Sequence, residues 1–126
     1  ILAAAGFLRG KRAACHWAWR ELLEPFGAVV DDSRVARDGN IITGGGVTAG
    51  LDFAFVMLAE LAGETLAKSV QLGLEYAPSP PFDSGRPELA APEILAAVNA
   101  RMAPLAQERK AAVEALAARL GAVEQA

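Results

Sequence analysis

The chain has 126 residues, 53% of them hydrophobic, and a formal net charge of −3 at pH 7. That length holds at most one modest domain with a real core, and the acidic balance argues against nucleic acid, which usually calls for a basic face. No apolar run approaches the roughly 20 residues of a membrane span. The single cysteine, Cys15, excludes an internal disulfide framework, so a reducing cytoplasm is the expected setting.

Mean hydropathy is +0.27, high for a chain of this size even though much of the apolar count is alanine. A buried parallel sheet or a large subunit interface would account for it. Ile1-Leu2-Ala3-Ala4-Ala5-Gly6 carries no basic n-region and reads as the end of a helix, with Gly6 or Gly10 as the stop. A chain opening inside an element is expected to be a fragment.

Lys11 to His16 predicts a buried strand, although alanine is a weak strand former. Trp19, Leu22, Leu23 and Phe26 sit at helical spacing, predicting a helix over 17–26 that stops at Pro25-Phe26-Gly27. Ala28 to Val30 is a second short strand and Asp31 to Ser33 a turn. Arg34 to Arg37 and Asn40 to Thr43 flank Asp38-Gly39, a strong hairpin signal. Next comes Gly44-Gly45-Gly46, which lets the backbone turn at positive φ and lets another group approach closely. Leu51, Phe55, Leu58 and Leu61 then predict a helix from about 47 to 62, with Thr48 as N-cap and Gly63 as stop. Another helix begins near Glu64 and continues towards Leu74.

Residues 77–91, with Pro78, Pro80, Pro81 and Pro87, cannot be regular helix or central strand, because proline removes a donor and fixes φ. From Pro92 a helical pattern resumes, Pro104 is expected to kink or restart it, and an amphipathic helix follows through Leu120. Strands alternating with helices indicate a three-layer α/β sandwich. About three strands are fewer than such a fold needs, so a missing first half is expected.

His16 is the lone histidine, at the end of a predicted strand. It reads either as a hydrogen-bonded structural residue or as a base or thiolate partner at the sheet's carboxyl edge. Cys15 would face away from His16 on a regular strand and reads as a small core residue. One His and one Cys offer no metal ligand set. The glycine loop lacks the spacing of a nucleotide-binding loop. Backbone amides at the helix start would nevertheless favour negative charge, whether phosphate, carboxylate or thiolate. Asp52 is expected to cap that helix or to hydrogen-bond between elements.

The order of motifs then resembles a known family. Residues 3–17, AAAGFLRGKRAACHW, are similar to the segment after the nucleophile elbow in the DJ-1/PfpI (ThiJ/PfpI) superfamily. Residues 38–53, DGNIITGGGVTAGLDF, match its second signature, and residues 75–85, EYAPSPPFDSG, resemble the isocyanide hydratase branch. Together these cover nearly the whole chain. The resemblance implies a flavodoxin-like three-layer α/β/α sandwich of which residues 1–126 are the C-terminal half, with a Pro-rich arm over 77–91 and C-terminal helices over 92–121. It implies a homodimer and a cysteine nucleophile lying upstream of Ile1, so that Cys15 is not that nucleophile. His16 then matches a supporting histidine near the thiol. Gly45, Gly46 and Val47, with Trp17, match substrate-binding or thiolate-stabilising positions.

The implied activity is cofactor-independent hydration of an isocyanide to an N-substituted formamide, with no metal, nucleic acid or membrane involved. Two alternatives are the ligand-sensing domain of an AraC-type transcription regulator and a DJ-1-like glyoxalase or thiol stress protein. The first expects a basic helix-turn-helix pair, whereas the last helix here carries mixed charge.

Overall fold

Residues 1–124 are described by the computed structural model, with side chains through Gly121, and Gln125 and Ala126 lie outside the described residues. In chain order come strand β1 (Arg12–Ala13), a 3-10 helix (Arg20–Phe26), and strands β2 (Val29–Val30), β3 (Val35–Asp38) and β4 (Ile41–Gly44). Helices α1 (Ala49–Ala62), α2 (Glu64–Gly73) and α3 (Pro92–Glu124) follow. The first ten residues form turns rather than a helix end. Ala5 N–H donates to the Ile1 carbonyl at 2.9 Å, and Gly6 N–H reaches back only three residues, to Ala3.

Strands β1 and β2 pair in parallel, Arg12 beside Val29 and Ala13 beside Val30. The ladder is shorter than the predicted strand because β2 runs out. Just past it the Asp31 carboxylate captures the Ser33 amide at 2.9 Å, an Asx turn that bends the chain away. The crossover between them is a 3-10 helix, not the predicted α-helix. Pro25 sits inside it without a donor, and the Trp19 and Leu22 amides bond three residues back, to His16 and Trp19.

Strands β3 and β4 form the predicted antiparallel hairpin, but its turn is displaced by one residue. Asp38 pairs with Ile41, so Gly39 and Asn40 are the central residues. Gly39 alone has positive φ, at 62°, the pattern of a II′ turn with glycine first. Asp38 is thereby freed for another task. Its carboxylate accepts the Arg12 amide at 2.9 Å and faces Lys11 Nζ at 3.3 Å. Further along the hairpin, Thr43 Oγ1 accepts the Ala14 amide at 2.8 Å. The hairpin thus docks on β1 through side chains, and the described residues contain two two-stranded sheets in place of one continuous sheet.

Gly63 separates α1 from α2, as expected. Residues 77–91 contain neither helix nor strand. Helix α3 runs unbroken through Pro104, so of the kink or restart expected there the restart does not occur. Loss of one amide bond is local, and alanine-rich turns on both sides sustain the helix. Its far half lies on the 3-10 helix, with the Arg109 guanidinium 4.2 Å from the centre of the Trp19 ring. The core is small: Ala3, Leu8, Ala13 and Ala28 are buried, with Leu23, Phe26 and Ile41 packed against them. Ile1, Leu2, Phe7 and Leu51 remain more than half exposed.

Candidate functional site

The loop from β4 into α1 does not use its glycines for positive φ. None of Gly44, Gly45 or Gly46 lies in that region. They are used for close approach. A Cβ on Gly44 would stand 3.6 Å from Phe53, one on Gly45 3.5 Å from the Arg34 carbonyl, and one on Gly46 3.2 Å from His16 Cδ2. The last is the tightest, so the imidazole lies directly against the loop.

Gly45 N–H donates to the Arg34 carbonyl at 2.8 Å. The Gly46 and Val47 carbonyls accept the first amides of α1, from Ala49 at 2.9 Å and Gly50 at 3.1 Å. The amides of Gly46, Val47 and Thr48 have no acceptor among the described residues. Together with the positive end of α1 they form an anion-favouring corner. Thr48 does not cap the helix through its side chain. Its hydroxyl instead accepts from the Arg34 guanidinium at 3.4 Å. Val47 stands out from the surface, 95% exposed.

His16 follows β1 and is half-buried. Its Nδ1 accepts the Ala18 amide at 3.2 Å, which leaves Nε2 as the protonated nitrogen of the neutral ring. The ring centres of Trp17 and Trp19 lie 5.4 and 6.4 Å away. Because β1 ends at Ala13, strand alternation no longer governs residues 15 and 16. Cys15 is only partly buried and lines the same cleft as Gly45 and Gly46, not the closed core expected for it. That cleft is about 60 Å³, with Trp17, Arg20, Arg34 and Arg86 among its walls. Arg20 pairs with Asp32, while its own Nε is buried without a partner. The structure therefore gathers His16, Trp17, Gly45 and Gly46 and leaves Val47 at the rim.

Asp52 forms bonds between elements. It accepts Arg34 Nε at 2.6 Å on one oxygen and the Tyr76 hydroxyl at 2.8 Å on the other. Burial opposes its ionisation, but the Tyr76 and Arg34 hydrogen bonds outweigh that and hold the carboxyl below its ordinary value. The same bond to Asp52 raises the Tyr76 phenol. Tyr76 also stacks on Phe55, ring centres 5.2 Å apart, tying the start of segment 77–91 to α1.

The DJ-1/PfpI family profile matches residues 1–60, which include the imidazole and the whole glycine loop. An isonitrile hydratase from Pseudomonas putida is 50% identical over 120 residues, 95% of this chain and 53% of that protein. The chain is therefore similar to the DJ-1/PfpI family. A crystal structure of a ThiJ/PfpI family protein from Pseudomonas syringae matches with a TM-score of 0.82 at 45% identity, covering 92% of this chain and 46% of the other. The fold is accordingly flavodoxin-like α/β. The Drosophila melanogaster protein DJ-1alpha is 36% identical over 69 residues, 55% of this chain and 32% of its own length. The chain spans about half the length of its P. putida relative.

Arg34, Tyr76 and Arg86 were not foreseen beside the DJ-1/PfpI loop. Arg34 had a signal. Counting outward along the observed hairpin register, past Val35 paired with Gly44, places it opposite Gly45. Arg86 and Tyr76 come from sequence-distant segments with no periodicity to locate them. Among the described residues no three His, Cys, Asp or Glu side chains gather as a metal site. Nor, among the described residues, is any helix long and apolar enough to cross a membrane.

Proposed function

We propose that this chain is part of a cytoplasmic, homodimeric isocyanide hydratase-like lyase, residues 1–126 supplying the C-terminal portion of a single domain. The observation that carries the reading is the 50% identity to isonitrile hydratase over 95% of the chain. The amide corner at Gly46, Val47 and Thr48 supports it physically, since such a corner stabilises a thiolate.

The nucleophile is a cysteine preceding Ile1 in the longer protein. Its thiolate attacks the terminal carbon of R–N≡C, and a proton delivered to that carbon gives a thioimidate, R–N=CH–S–Cys. Water then adds to the same carbon, the C–S bond breaks to return the thiolate, and R–NH–CHO leaves. The Gly46 and Val47 amides stabilise sulfur, Gly45 anchors the loop by giving its own amide to the Arg34 carbonyl, His16 braces the loop, and Trp17 walls the substrate. No cofactor is needed for this sequence of steps. The AraC-type and DJ-1-like stress readings draw less support: the DJ-1alpha match is weaker and covers little more than half of this chain.

The test is formamide production from alkyl and aryl isocyanides by the full-length protein, with and without its upstream cysteine. Turnover that disappears in the Cys→Ala variant supports the reading. Unchanged turnover in that variant overturns the covalent mechanism, and no formamide from the wild type overturns the activity.

A further inference from the structure

A second cavity adjoins the small cleft at the glycine loop. The bend at residues 84–87 and the first turns of α3 border a half-open cavity of about 140 Å³, walled by Trp17, Pro87, Ala90, Ile94, Leu95 and Val98. Arg86 is the one charged residue lining it, and its guanidinium is 3.7 Å from Glu88. The two spaces share Trp17, Gly85, Arg86 and Pro87 as walls. A polar slot beside amides therefore opens next to a chamber of hydrocarbon and indole.

That pairing matches the shape of an isocyanide. The unit R–N≡C is linear, so its electrophilic carbon and its substituent lie at opposite ends of one axis. A site holding the carbon at the amide loop must supply an apolar space further along that axis. We propose that the chamber between Trp17 and α3 receives the hydrocarbon substituent, with Ile94 and Val98 setting the size accepted. This assignment rests on the hydratase reading above. Apolar cavities of about 150 Å³ are known to take up benzene, so the chamber is matched to roughly one six-membered ring. Methyl or ethyl groups would leave it partly unfilled.

The experiment compares kcat/KM for phenyl and methyl isocyanide in the full-length protein, its Val98→Phe variant and its Ile94→Ala variant. Both substitutions fall on a helix already partly open to solvent. Filling the chamber with Val98→Phe lowers the phenyl-to-methyl ratio by about tenfold or more, and enlarging it with Ile94→Ala improves acceptance of a naphthyl isocyanide over phenyl. Toluene, read by ligand-observed NMR, serves as a substrate-independent reporter: it binds the wild type and is lost in Val98→Phe.

Formamide formed with an unchanged phenyl-to-methyl ratio in Val98→Phe overturns the chamber assignment and leaves the hydratase reading standing. Absence of toluene binding to the wild type overturns it as well. No formamide from any isocyanide, with toluene binding intact, removes the hydratase reading and the substituent assignment together. The two failures are therefore distinguishable.

Discussion

Arg34 grips Asp52 through Nε at 2.6 Å while its carbonyl takes the Gly45 amide at 2.8 Å. One residue thus fixes both ends of the glycine loop, the β4 side by its backbone and the α1 side by its side chain. Both partners are partly exposed, with 46% and 30% of their side-chain surfaces open, so the ion pair itself contributes about 1 kcal/mol or less. Its larger effect is on position. Arg34→Ala keeps the carbonyl and loses the guanidinium, and we expect a small drop in the urea midpoint. If the proposed hydratase activity holds, the accompanying fall in kcat/KM for isocyanide is about tenfold or more, because small misplacements of catalytic groups are costly. Arg34→Lys, lacking the planar fork, should recover only part of it. Equal, small losses of stability and activity in both variants would count against a positioning role.

Acid should weaken the same junction. The Asp52 carboxyl lies below its ordinary value of 3.8 when folded, so the unfolded chain binds a proton at higher pH than the folded one. Its contribution is fully present above the ordinary carboxylate range, about pH 4 and upward. It disappears as pH falls through the folded value. Asp38, held down chiefly by the Arg12 amide, and Asp31, held down chiefly by the Ser33 hydroxyl, act with the same sign. Tyr76 acts oppositely: its phenol is raised above 10.0 by Asp52, so its contribution is present at neutral pH and lost as pH rises through the raised value. Denaturant titrations from pH 7 down to 3 should show stability declining below about pH 4. Asp52→Asn should flatten part of that decline and, in titrations carried up to alkaline pH, shrink the loss due to Tyr76.

Thr43 is the buried polar side chain of the core region, and its hydroxyl is what Ala14 N–H has in place of a strand partner. Thr43→Val preserves shape but strands a buried donor, at a cost of about 1–3 kcal/mol. Thr43→Ser keeps the acceptor and should cost clearly less. Chemical denaturation of the three proteins decides it; a valine variant as stable as serine would mean the amide finds another acceptor.

The elements legible beforehand were those with local signals. The hairpin, α1 and α2 each carry periodicity or turn chemistry within a few residues. What escaped was set by distant partners. Strand β1 stops at Ala13 because Asp31, 18 positions on from it, ends its neighbour's ladder with an Asx turn. The glycine loop was expected to allow positive φ or close approach, and only the second is used, against Phe53, Arg34 and His16. Nothing within residues 44–46 announces those neighbours. Resemblance to the DJ-1/PfpI family located the loop and the imidazole, whereas Arg86 entered only once residues 84–88 folded against Trp17.

Gly46 and His16 offer the sharpest local test. An added Cβ at Gly46 would stand 3.2 Å from His16 Cδ2, close enough that one side must give way. The ring is not free to do so. Its Nδ1 holds the Ala18 amide and its face lies near Trp17 and Trp19. Gly46→Ala should therefore cost about 1–3 kcal/mol as an overpacking substitution, together, on the proposed hydratase reading, with a loss of isocyanide turnover as the loop amides shift. In a His16→Ala background the methyl has room, and the same change should cost much less. The double-mutant cycle should accordingly give a coupling of about 0.5 kcal/mol or more, as contacting residues do. Additive effects across the cycle would mean that loop and imidazole are not in contact, and that His16 does not brace the amides.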